Sequence, residues 1–172
     1  FTQPSDPAPE QSPDASMSGP AGGEGVPTVN AVVARGLEAP WGVDFLPDGT
    51  AIVTERDTRR VIAVRDGEAR EVAQLGSLPQ YGEAGLLGVA VSPTYDEDQR
   101  LFFSLTPETD NRIVRTTFDG QRLGDLEPIL TGIPRGFTHD GGRLLFGPDG
   151  HLYASTGESG EPAIAQDPTS LG

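Results

Sequence analysis

The sequence predicts an all-β fold of repeated antiparallel units, the arrangement of a β-propeller. Three observations carry that prediction. From Val29 onward, short apolar and β-branched runs alternate with Asp-Gly and proline-containing turns. No long stretch sustains a 3.6-residue period, so helix is a minor component. The segments Phe45-Leu46-Pro47, Val91-Ser92-Pro93 and Phe146-Gly147-Pro148 recur at equivalent strand-to-turn positions, roughly 50 residues apart, a period that suits a four-stranded blade.

The elements follow in order. Gly42-Val43-Asp44-Phe45 reads as a strand ended by Pro47-Asp48-Gly49, followed by Ala51-Ile52-Val53-Thr54 and Val61-Ile62-Ala63-Val64, closed by Asp66-Gly67. A second cycle runs through Leu86 to Val91, Leu101 to Ser104 and Ile113 to Phe118, closed by Asp119-Gly120. Asp96-Glu97-Asp98 lacks the glycine and terminal glutamate of an EF-hand loop and reads as a solvated turn. A third cycle starts at Gly142, where Leu144 to Phe146 and Leu152-Tyr153-Ala154 flank Asp149-Gly150, whose positive φ angles suit a tight hairpin. About three blades fit between Val29 and Gly172, too few for circular closure, which takes about 4–8. The chain is therefore expected to be the N-terminal half of a longer protein.

Residues 1–28 differ in kind. They are rich in proline, glycine and serine, contain acids and no arginine, and read as a disordered linker ahead of a domain spanning 29–172. Such a start is common in exported proteins whose signal has been removed, so a secreted, periplasmic or cell-surface location is expected, although the chain itself shows no signal segment. A plain linker is the alternative.

Composition excludes several classes. With no cysteine there is no disulfide framework, thiolate metal site or cysteine nucleophile. All twelve basic residues are arginine, which rules out a Walker-type phosphate loop or a Schiff-base lysine. A net charge of −14 argues against nucleic acid and anionic membrane surfaces as partners, and no apolar run approaches the roughly 20 residues of a membrane span. Gly157-Glu158-Ser159-Gly160 lacks the spacing of a nucleophile elbow. Two histidines without H-E-x-x-H make no persuasive zinc site, and no G-x-G-x-x-G follows a strand.

The most informative stretch is Thr138 to Tyr153. It places His139 and two glycines just before a strand, so the imidazole can be held at the mouth of a scaffold and serve as a general base. The plain alternative is a polar turn residue. Glu83 precedes the apolar Leu86–Val91 run and reads either as a site residue or as a solvated loop acid. Trp41 reads as core packing or a blade-junction anchor rather than a sugar-stacking platform, Arg143 as a partner in an ion pair or of a carbonyl between blades, with a solvent-lined cofactor pocket as the alternative use of its charge, and His151 as an exposed turn residue without a role.

The His139-Asp140-Gly141-Gly142-Arg143-Leu144 block, continued by Phe146-Gly147-Pro148-Asp149-Gly150 and Leu152-Tyr153, resembles the signature of the glucose/sorbosone dehydrogenase family, soluble sugar dehydrogenases that use pyrroloquinoline quinone (PQQ). Four further segments agree in order: Leu37-Glu38-Ala39-Pro40-Trp41-Gly42, Gly82 to Ala90, Asp110-Asn111-Arg112-Ile113-Val114-Arg115, and Ser155 to Gly160 with Ala165-Gln166-Asp167. The likeness spans roughly Val29 to Gly172, and ordered matches of this kind are more specific than any single motif.

The resemblance implies a six-bladed propeller that oxidises aldoses to lactones, with the sugar C1 hydride passing to the quinone and a histidine taking the hydroxyl proton. His139 matches the family's catalytic histidine, and Glu83 falls where Gln or Glu lies near the quinone oxygens, so both are expected to bind PQQ. Calcium is expected as a second cofactor, its ligands and the cofactor-clamping arginine lying in later blades. On that reading a small-molecule sugar is the partner, and the 172 residues alone are expected to be inactive. Two departures stand out. Asp140 replaces the usual Asn, and an acid there could raise the histidine pKa or distort the turn. Gly157-Glu158 replaces a common Gly-Asp. The alternatives are a calcium-dependent lactonase-type hydrolase and a non-catalytic propeller acting as a binding module.

Overall fold

The computed structural model describes residues 29–76 and 81–172, so the proposed linker at 1–28 lies outside the described residues. From Ala31 the described chain forms ten strands in antiparallel sheets. The first sheet is β1 (Pro40–Phe45), β2 (Ala51–Glu55), β3 (Arg60–Arg65) and β4 (Glu68–Gln74), paired in chain order. The second is β5 (Leu86–Val91), β6 (Arg100–Leu105), β7 (Asn111–Thr117) and β8 (Glu127–Ile133), also in chain order. β9 (Gly141–Phe146) and β10 (Leu152–Thr156) form a hairpin. This is the β-propeller pattern, in which each blade is a four-stranded meander. The third unit holds two strands, so the expected three blades are two full blades and one hairpin.

The repeat is visible in its turns. Between β1 and β2 the Leu46 N–H donates to the Thr50 carbonyl (2.9 Å), and between β9 and β10 the Gly147 N–H donates to the His151 carbonyl (2.9 Å). In the second blade the Ser92 N–H closes onto the Arg100 carbonyl (3.0 Å) around an inserted helical turn, α1 (Tyr95–Asp98). Asp96 to Asp98 therefore lie on one helical turn rather than in a simple turn. Asp66 and Gly67, at φ 52° and 82°, form the two-residue link of the β3–β4 hairpin as expected. The Asp149-Gly150 loop is five residues long, and there only Gly150 takes positive φ (78°); Asp149 instead accepts the His151 N–H (3.1 Å) and the Tyr153 hydroxyl (2.7 Å).

Packing explains the long apolar run of β5. Leu86, Val89 and Val91 face a core shared with Ile52, Val61, Leu101, Phe103 and Phe118, while Ala90 joins Ile113, Ile133 and Leu144 on the opposite side. A strand covered on both faces needs apolar residues throughout. The outer strands β4 and β8 are largely exposed, which is why their sequences carry little apolar pattern.

The innermost strands β1, β5 and β9 lie against one another through glycines. A Cβ on Gly42 would stand 2.9 Å from the Leu87 carbonyl oxygen, and one on Gly88 would stand 2.1 Å from the Gly142 carbonyl oxygen. No side chain fits between backbones this close. Gly88→Ala is expected to cost about 1–3 kcal/mol through overpacking, read as a lowered urea midpoint with unchanged m-value. An unchanged midpoint would show that β5 and β9 do not depend on this approach.

Candidate active site

The loops preceding β5 and β9 and the loop following β10 interlock at one end of the inner strands. The Glu83 N–H donates to the Phe137 carbonyl (3.0 Å), and the His139 N–H donates to Glu83 Oε2 (2.6 Å). From the third loop the Ser159 N–H donates to the His139 carbonyl (3.2 Å). Gly157 lies so close that a Cβ there would meet the His139 carbonyl oxygen at 1.8 Å. His139 itself sits at φ 61°, a left-handed conformation rare for residues other than glycine. Such a backbone persists where its surroundings over-determine it, and three loops do so here.

Sequence reasoning thus paired two residues that the fold brings together. Glu83 holds the backbone of His139, and its carboxylate is exposed. The residue it missed is Glu158, whose Oε1 hydrogen bonds His139 Nδ1. The imidazole remains 60 % exposed while the Glu158 side chain is 21 % exposed. The local signal was the Gly157-Glu158 pair after the second strand of the hairpin, where glycine allows the close approach and the next residue turns its carboxylate to the ring.

Electrostatics follows from this contact. The hydrogen bond from Glu158, its charge, and more weakly the charge of Glu83 raise the His139 pKa above the ordinary imidazole value, while the same hydrogen bond lowers that of Glu158. The acids that raise the histidine pKa are therefore Glu158 first and Glu83 more weakly, and Asp140 is not among them. Asp140 points inward and is 2 % exposed. Its Oδ1 accepts from Asn111 Nδ2 (2.8 Å) and the Gly136 N–H (2.9 Å), and Asn111 Nδ2 also donates to the Pro134 carbonyl (2.7 Å). Asp140 thus ties the histidine loop to β7 rather than distorting it.

Beside the histidine loop lies a cleft of about 340 Å³ lined by Trp41, Arg56, Glu83, Leu87, Asp140 and Gly141. Trp41, expected in the core or at a blade junction, is half-buried at the junction, where it lines this cleft beside Leu87 of β5 and Gly141 of β9, because the Gly42 approach fixes the start of β1 beside β5. The Arg143 guanidinium lies 4.7 Å from the Trp41 ring centroid, a cation–π contact instead of the expected ion pair or carbonyl contact. Arg56 is paired with Asp57 through Nε (2.7 Å). Asp140 Oδ2 and Glu158 Oε2 are buried and hydrogen bond no described residue. Among the described residues no group of three or more histidine, aspartate and glutamate side chains is placed to hold a metal ion. His151 is exposed, as expected, and its ring lies near Asp149.

Blade-like antiparallel sheets with a carboxylate-held histidine in the loop before an inner strand place the chain in the β-propeller class. The sequence model of the Glucose / Sorbosone dehydrogenase family matches residues 37–172, and the chain belongs to that family. It superposes on the PQQ-bound form of aldose sugar dehydrogenase from Streptomyces coelicolor with a TM-score of 0.80 at 41 % identity, covering 84 % of this chain and 46 % of that one. An aldose sugar dehydrogenase of Escherichia coli is 29 % identical over 160 residues, 81 % of this chain and 41 % of the relative. Quinoprotein glucose dehydrogenase B of Acinetobacter calcoaceticus is 27 % identical over 150 residues, 78 % of this chain and 31 % of the relative. The chain thus spans less than half the length of each of these relatives.

The His139–Glu158 pair has a definite pH signature. Its stabilising effect is present while the imidazole is charged, fully so below the unfolded histidine pKa of about 6.5, and is lost as pH rises through the raised folded value. On the acid side it is lost as pH falls through the lowered Glu158 pKa. An NMR titration of His139 is expected to give a pKa above that of an unfolded reference, returning towards it in Glu158→Gln. Equal pKa values in the two proteins would contradict the contact.

Proposed function

We propose that the full-length protein oxidises aldose sugars to lactones with PQQ as hydride acceptor, and that His139 is the general base. The observation that carries this reading is the orientation of the imidazole. With Nδ1 donating to the Glu158 carboxylate, Nε2 keeps its lone pair and the exposed ring presents it to a substrate hydroxyl. Glu83 positions the base from the other side through the backbone N–H. Turnover requires His139 to be neutral, so its raised pKa places the acid limb of the rate profile above the ordinary imidazole range.

The residues present fit the proposed cofactor. The cleft offers an aromatic face in Trp41, a guanidinium in Arg56 and an unpaired buried carboxylate oxygen in Asp140, a set suited to a flat, carboxylated aromatic with an N–H donor. Trp41, Arg56 and Asp140 would hold the group, with Glu83 in the same cleft and His139 in the adjoining loop. When bound, PQQ supplies the two-electron acceptor that side chains lack. The likeness to a PQQ-bound aldose sugar dehydrogenase and to a quinoprotein glucose dehydrogenase supports the assignment. Calcium enters the proposal as an additive to be tested, with no step assigned to it. A secreted, periplasmic or cell-surface location belongs to the same proposal, supported by the composition of residues 1–28. The electron acceptor is unassigned.

The test is dye reduction by the full-length protein with aldoses, titrated with PQQ and calcium. Activity is expected to require PQQ, to fall by about 10²–10⁴-fold in His139→Ala, and to show an acid limb displaced to lower pH in Glu158→Gln. A folded protein that binds no PQQ would overturn the oxidoreductase reading and leave a propeller used for recognition.

A further inference from the structure

We propose that Arg143 is a carboxylate anchor at the edge of the cleft: its guanidinium, held over Trp41, binds a carboxylate of the quinone. The inference rests on the PQQ reading and adds a binding residue to it.

Strand geometry brings Arg143 to the site. Along β9, Gly142 and Leu144 are buried while Arg143 and Leu145 are exposed, the alternation of a strand covered on one face. Gly142 packs against Leu87, and Leu144 joins the layer of Ile113 and Ile133. Gly141, which lines the cleft, precedes Arg143 by two residues, a step of about 7 Å along a strand. The Arg143 N–H donates to Ser155 Oγ (3.2 Å), which ties this point of β9 to the neighbouring strand. From there the side chain reaches Trp41, another lining residue, and its Cζ stands 4.7 Å from the ring centroid.

The charges around the cleft give this cation a use. Glu83 and Asp140 line the cleft, as does Arg56, which gives its Nε and Nη2 to Asp57 (2.7 and 3.4 Å). A carboxylated quinone therefore meets two acids and a guanidinium whose charge is already matched. Arg143 is different. Among the described residues its guanidinium makes no hydrogen bond or ion pair, and its contact is with the indole face. An aromatic face restrains a guanidinium without using its N–H groups, so all of its donors remain free for a ligand. A planar fork held in this way matches two carboxylate oxygens at once. Packing on the indole alone would need only the apolar stem of the side chain.

The test measures PQQ binding to the full-length protein by equilibrium dialysis, at one calcium concentration and without turnover. Arg143→Met keeps an unbranched apolar side chain over Trp41 and removes the charge. Its Kd for PQQ is expected to rise about tenfold, with the gap narrowing as salt is raised. Arg143→Lys is expected to fall between the two, since it restores the charge but not the fork. In the wild type the Arg143 ¹⁵Nε–H resonance, identified by its absence from both variants, is expected to move downfield when PQQ is added. Because the guanidinium hydrogen bonds no described residue, both variants are expected to keep the wild-type thermal midpoint. Equal Kd values in the three proteins would overturn the anchor while leaving the PQQ reading intact. So would equal losses in both variants with an unmoved resonance, which would assign Arg143 to packing on Trp41. A folded wild type that binds no PQQ would overturn the PQQ reading itself, and the anchor with it.

Discussion

Everything at the site depends on how closely the inner strands approach. Gly88 leaves no room for even a methyl group between β5 and the Gly142 carbonyl, and Gly42 does the same between β1 and β5. Side-chain packing between sheets normally keeps backbones about 10 Å apart; replacing it with backbone contact at the inner strands draws their preceding loops together. The loops carrying Glu83 and His139, with the loop bearing Glu158, then become near neighbours although far apart in sequence. Buried apolar layers between the sheets, centred on Phe103 and Phe118 and on Ile113 and Leu144, keep the sheets from sliding over one another.

Within that frame the histidine is oriented by carboxylates from both sides. Glu83 takes the backbone N–H and Glu158 the ring, so one acid fixes where the residue sits and the other fixes which nitrogen bears the proton. A third acid, Asp140, is turned inward to anchor the loop through Asn111. The arginines near the cleft are already engaged, Arg143 over Trp41 and Arg56 with Asp57, which preorganises their charge instead of leaving it to a flexible chain.

Much of the fold was legible from period and turn chemistry. Strands β1 to β3, β5 to β7 and the β9–β10 hairpin follow from apolar runs bounded by proline and Asp-Gly turns. β4 and β8 escaped because an outer strand with exposed faces needs no apolar pattern, as Glu68-Ala69-Arg70-Glu71 shows. At the site, motif resemblance singled out His139 and Glu83, whereas the Glu158 contact left only the Gly157-Glu158 pair as a signal, because a contact between the two ends of a hairpin depends on how its strands pair. Trp41 stands at the junction of the units, one of the two places its sequence context offered, and the choice between them needed the approach of the next strand. Asp140 looked like a perturbation of the histidine because adjacency in sequence says nothing about which way a side chain turns.

The most direct test of the account is the tautomer of His139, read from the ¹⁵N resonances of the imidazole in full-length protein above its pKa. The geometry predicts a proton on Nδ1, held by Glu158, with Nε2 unprotonated, and loss of that preference in Glu158→Gln. A neutral ring protonated on Nε2 would contradict it, because no lone pair would then face the substrate.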